Sequence, residues 1–109
     1  MTVAYKVLGQ SAPSAASSTT VYTCPSSTQT VLSFVSVCNR SSVATTYRLG
    51  IDVNGAGDDN PDYLHYDTAI EGLETQYVMH GATLDAADLI RCYATLATLT
   101  FCVCGQEIT

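Results

Sequence analysis

At 109 residues the chain is expected to form one domain with no room for a second. Hydrophobic residues make up 47% of it and charged ones 13%, with four Lys plus Arg against ten Asp plus Glu and a net charge of −6. Phosphate-tracking surfaces need clustered positive charge, and anionic lipid attracts the same, so neither a nucleic-acid nor a membrane partner is expected.

Taken in chain order, residues 3–8 form a first short strand with Val3, Tyr5 and Val7 on one face. Residues 9–20, GQSAPSAASSTT, are small and aperiodic, which reads as a loop or extended arm. A second short strand at residues 21–24 is ended by Pro25, which cannot donate to a ladder. The stretch at residues 30–53 reads as a hairpin. Its first strand, residues 31–38, is apolar on both faces apart from Ser33 and Ser36, which suits the middle of a sheet or a sheet with a covered outer face. Asn39-Arg40-Ser41-Ser42 supplies turn chemistry. The second strand alternates, with Tyr47, Leu49, Ile51 and Val53 on one face and Thr46, Arg48, Gly50 and Asp52 on the other.

The run Asn54-Gly55-Ala56-Gly57-Asp58-Asp59-Asn60-Pro61-Asp62 is the strongest loop signal in the chain. Beyond it, Tyr63–Ile70 and residues 75–80 read as two strands around a Glu71-Gly72-Leu73 turn. Residues 83–88 look like a short turn of helix or a tight corner. Leu89–Ala94 and residues 98–104 form a closing hairpin, with Leu99, Phe101 and Val103 facing inward. About eight short strands separated by frequent turn signals predict an all-β fold, an antiparallel sandwich of jelly-roll-like form.

Residues 1–6 lack the basic region and apolar run of a signal peptide, and no stretch approaches the ~18 uninterrupted apolar residues of a membrane helix. Folding in a cytoplasm is therefore expected. The five cysteines, Cys24, Cys38, Cys92, Cys102 and Cys104, are expected to be free, buried thiols. Cys102 and Cys104 share one strand face, with Cα atoms about 6.5–7 Å apart, at the outer limit for a bridge.

The chemistry-bearing residues form no recognisable catalytic pattern. Asp52, Asn54, Asp58 and Asp59 offer oxygens for calcium, but their spacing misses the D-x-D-x-D-G pattern with its distal Glu. A solvated loop is the expectation there. His65 and Asp67 are two apart on a predicted strand and His80 lies on the next, yet nothing fixes their convergence on a metal. The chain has no G-x-S-x-G, no Cys–His signature and no glycine-rich phosphate loop. No cofactor, metal or enzymatic activity is expected.

The runs Tyr5-Lys6-Val7-Leu8-Gly9-Gln10, Val21-Tyr22-Thr23-Cys24-Pro25, Val35-Ser36-Val37-Cys38-Asn39-Arg40 and Thr45-Thr46-Tyr47-Arg48 resemble a family of small structural proteins of tailed bacteriophages, including phages of cyanobacteria. His65-Tyr66-Asp67, Leu84-Asp85-Ala86-Ala87-Asp88, Leu99-Thr100-Phe101 and Gly105-Gln106-Glu107-Ile108-Thr109 extend the resemblance over nearly the whole chain. Cys24 replaces the Val common in the family's Tyr-Thr-x-Pro run, and Cys102 and Cys104 are peculiar to this sequence. The resemblance implies a virion component that oligomerises on the tail, baseplate or fibre base. Capsid decoration as a cement protein on the head exterior is the alternative. Other phage structural proteins are the implied partners, and a homo-oligomer is expected, with a trimer first among the candidates. Arg40, Arg48, Tyr63, Tyr66 and Tyr77 are the expected interface residues. A sugar-binding sandwich using Tyr63, Tyr66 and Tyr77 as a platform is a further reading, weakened by the absence of Trp.

Overall fold

The computed structural model describes residues 1–55, 57 and 60–109. Among these are nine strands: β1 Val3–Ser11, β2 Ser17–Thr23, β3 Gln29–Asn39, β4 Thr45–Asp52, β5 Tyr63–Ile70, β6 Thr75–Val78, β7 Thr83–Leu84, β8 Leu89–Ala94 and β9 Leu99–Ile108. One sheet runs β1-β9-β3-β6, with β7 also paired to β3, and the other runs β2-β8-β4-β5. All pairings are antiparallel. The two sheets pack as a sandwich, as the sequence predicts.

The pairings are nested. The first strand pairs with the last, β2 with β8, β3 with β6 and β7, and β4 with β5. The chain is thus one long hairpin with its bend between Asp52 and Tyr63, rolled so that successive pairs fall in alternate sheets. This is a jelly roll.

That topology corrects the expected hairpins. β3 and β4, β5 and β6, and β8 and β9 each lie in opposite sheets. Buried Asn39 shows why the chain crosses over instead of doubling back. Its Nδ2 donates to the carbonyls of Val43 (2.9 Å) and Glu71 (3.2 Å), and its Oδ1 accepts from the Ser41 N–H. One side chain thereby ties together the β3–β4 and β5–β6 crossings. A Cβ on Gly72 would lie 2.1 Å from the Ser42 carbonyl oxygen, so only glycine lets the two crossings touch. The 9–20 arm is also corrected: residues 9–11 continue β1 and residues 17–20 begin β2, leaving only residues 12–16 as a loop. The 83–88 corner is held by Asp88, whose Oδ2 accepts from the Asp85 N–H at 2.9 Å.

The core comes from one phase of each strand, as period-two geometry requires. Leu32, Val35 and Val37 of β3 and Leu99, Phe101 and Val103 of β9 face Tyr47 and Leu49 of β4 and Ile90, Cys92 and Ala94 of β8. Ser33 is the extra residue of a bulge between Leu32 and Phe34, which shifts the inward phase along β3. β3 does lie in the middle of its sheet. Ile51 is half-buried against the core, whereas Val53 leaves the strand and is exposed.

The hydroxyls of the two buried tyrosines are paired. The Tyr47 hydroxyl donates to Gln76 Oε1 at 2.6 Å, and the Tyr22 hydroxyl donates to Glu107 Oε2 at 2.6 Å. Burial raises the pKa of both tyrosines. The five cysteines are free, but only Cys24 and Cys92 are buried. Cys38, Cys102 and Cys104 are partly exposed, because they fall on the outward phase of β3 and β9.

Candidate functional site: an arginine held between tyrosines

The outer face of the β2-β8-β4-β5 sheet carries two of the chain's four Lys and Arg residues and several of its aromatic rings. Ser18 of β2 stands opposite Tyr93 of β8, which stands opposite Arg48 of β4. On the far side β5 carries a bulge. Tyr47 pairs with Thr68 and Leu49 with His65, so Tyr66 and Asp67 together oppose the single residue Arg48. Asp67 takes left-handed backbone there (φ 51°), a conformation that Asp tolerates better than most residues.

The bulge gives Arg48 an aromatic face and a carboxylate from adjacent residues. Its guanidinium carbon lies 4.2 Å from the Tyr66 ring centroid and 4.5 Å from that of Tyr93. Arg48 Nε donates to Asp67 Oδ1 at 2.7 Å, and Nη2 to Oδ2 at 3.4 Å. The hydrogen bond to Asp67 raises the guanidinium pKa further, so Arg48 stays charged. Tyr63 meets Tyr66 edge to face, at 4.9 Å and 84°.

In the next row Arg91 of β8 stands opposite Gly50. It pairs with Asp52, whose side chain is fully buried while that of Arg91 is 27% exposed. The Asn60–Asp62 turn crosses directly over Gly50, where a Cβ would lie 2.7 Å from the Asp62 carbonyl oxygen. Glycine is therefore required for that turn to seat Tyr63 beside the site. A shallow cavity of about 260 Å³ lies between Ser18, Arg48, Tyr63, Arg91 and Tyr93.

Three of the five expected interface residues, Arg48, Tyr63 and Tyr66, come together here. The other two do not. Arg40 sits at the end of the sandwich, where its Nη2 donates to the Ala97 carbonyl at 3.1 Å. Tyr77 lies on the outer face of the other sheet, edge-on to Phe34 at 5.2 Å. A platform of Tyr63, Tyr66 and Tyr77 is thus ruled out, because the third ring faces the opposite way. Tyr93 and Arg91 were not among the expected residues. Their alternation with Ile90, Cys92 and Ala94 placed them on an outward phase, but only the pairing of β8 with β4 brings them to Arg48.

The metal candidates separate as well. The β5 bulge turns His65 inward, with its ring 5.8 Å from that of Tyr47, and turns Asp67 outward to Arg48. Burial lowers the His65 pKa. His80 lies in an exposed turn. Asp52 is engaged by Arg91, the Asn54 N–H donates to Asp88 Oδ1 at 3.0 Å, and Asp58 and Asp59 lie outside the described residues. No group of three or more His, Cys, Asp or Glu converges among the described residues.

Both stacked rings have a face covered by Arg48, and Tyr63 stands nearly perpendicular to Tyr66. What the arrangement offers is a preorganised patch of Arg and Tyr, the residue types that dominate protein–protein binding energy. Comparison of the chain with protein-family models, with curated proteins and with solved structures finds no match.

Proposed function

We propose that the chain is a non-enzymatic structural subunit of a tailed-phage particle, attached to the tail, baseplate or fibre base through the outer face of the β2-β8-β4-β5 sheet. The observation that carries this reading is the Arg48 cluster. Arg48 is held by two rings and a carboxylate before any partner arrives, so little side-chain entropy is lost on docking. Tyr66 is 57% exposed, leaving an edge and a polar tip for contact. The jelly roll adds support of a general kind, since viral capsid domains are among its common uses.

Binding of the purified full chain to separated tails and heads tests the proposal. Association with tails is expected, and Arg48→Ala, which leaves the isolated subunit folded, should weaken it by about tenfold or more. Binding to heads instead would move the subunit to the capsid exterior as a cement protein. Binding to neither, or equal binding by Arg48→Ala, would refute the contact role.

A further inference from the structure

The outer face of the β1-β9-β3-β6 sheet has a different character. Its rows follow from the registers: Val7 stands opposite Cys104, which stands opposite Phe34, and in the adjoining row Cys102 pairs across Ser36 to Tyr77. Tyr5 is 79% exposed, Val7 54% and Tyr77 59%. Cys102 and Cys104 sit at the middle of the sheet with their Sγ atoms 3.8 Å apart.

No outward position on these strands holds Asp, Glu, Lys or Arg. Lys6 and Glu107 belong to the same strands but lie on the other phase, where they pair at 2.7 Å. An uncharged sheet face on a chain of net charge −6 constrains what covers it. Two copies of this chain repel wherever carboxylates oppose one another, and on this face none do. A basic partner would gain no ion pair there. Three strands of nine to eleven residues and the four-residue β6, at about 4.8 Å spacing and about 3.3 Å rise per residue, span roughly 500 Å² in projection. That projection is already more than half of the roughly 800 Å² per partner of a standard interface.

We infer that this face packs sheet-on-sheet against the same face of a second copy, so that the assembling unit is a two-fold dimer with Cys102 and Cys104 near its centre. The inference rests on the reading of the chain as an assembling subunit, but it concerns the opposite sheet from the Arg48 site. Face-to-face packing at about 10 Å repeats between copies the arrangement that each copy already contains.

Light scattering of the full chain under reducing conditions, across a dilution series, tests it. The wild type should show twice the 11.5 kDa chain mass. Tyr5→Glu and Val7→Glu place a carboxylate on an exposed part of the face and should remain folded by circular dichroism. Each should raise the dissociation constant on the order of a hundredfold, while Arg48→Ala dimerises as the wild type does. Alkylation of Cys102 and Cys104 by N-ethylmaleimide should be slow in the wild type and fast in Val7→Glu. A wild type at the single-chain mass throughout, a trimer mass, or Glu variants that dimerise normally would each overturn the inference. A dimer that binds neither tails nor heads would refute the particle reading alone. A monomer that binds tails would refute only the dimer.

Discussion

Replacing Arg91 with Ala strips the cation from a carboxylate that has no solvent access. Asp52 is fully buried beneath the strand's outer face, whereas Arg91 keeps part of its side chain in water. The pair is therefore asymmetric. Breaking a buried ion pair by removing one partner costs about 3–5 kcal/mol, because the other charge is left in low dielectric. Arg91→Ala should incur that loss, a fall in Tm of roughly 12–40 °C at about 4–8 °C per kcal/mol. Asp52→Asn keeps the shape, removes the buried charge and lets the guanidinium hydrate, so its loss should be nearer 1–2 kcal/mol, about that of one hydrogen bond. Arg91→Met retains the apolar stem and should resemble Arg91→Ala if the charge matters, or the wild type if packing does. Urea denaturation of the three variants decides the matter. Equal losses for Arg91→Ala and Asp52→Asn, or a loss under about 1 kcal/mol for Arg91→Ala, would refute the reasoning.

Two further outcomes are expected. Leu49→Ala, at a fully buried position, should cost about 2–5 kcal/mol through lost transfer energy and the residual cavity; the half-buried Ile51→Ala should cost less, and chemical denaturation reversing that order would place the core elsewhere. Burial pushes the Cys92 thiol up to about 12 from its ordinary value of 9.0, so the unfolded chain loses that proton first as pH rises. The associated stability is complete below about pH 9 and drains between pH 9 and 12; denaturation midpoints across that range should fall less steeply in Cys92→Ala, and parallel profiles would remove Cys92 as a cause.

Strands were legible in the sequence because alternation is local. Tyr63–Ile70 and Leu89–Ala94 coincide with β5 and β8, and Leu99, Phe101 and Val103 do face the core. Pairing was not legible, since partner choice in a jelly roll is set by residues far apart in the chain. Asn39 looks like an ordinary turn former, and its bond to the Glu71 carbonyl, which redirects the chain across the sandwich, spans 32 positions. The site suffered accordingly. Arg48, Tyr63 and Tyr66 sit on strands joined by a bend that reads as a loop in the sequence, with nothing local to show that the strands it joins are partners. Tyr93 and Arg91 lie on a strand that, from its sequence neighbours, reads as one arm of a hairpin with β9, whereas β8 pairs with β2 and β4 in the other sheet. The small residues at 9–11 and 17–20 look like an arm because their strand pairing owes nothing to hydrophobic alternation.

The nested pairing also orders events in time. Closing a loop costs more entropy as it lengthens, so β4 and β5 can meet early, whereas β1 and β9 enclose almost the entire chain. The last rungs are the reciprocal backbone bonds between Thr2 and Thr109, at 3.1 and 2.9 Å. Before β9 has been made, the strand that sits between β1 and β3 is missing. Until it is in place, the sheet we assign to dimerisation has a gap at its centre. Self-association is thereby deferred to chains that have completed that sheet.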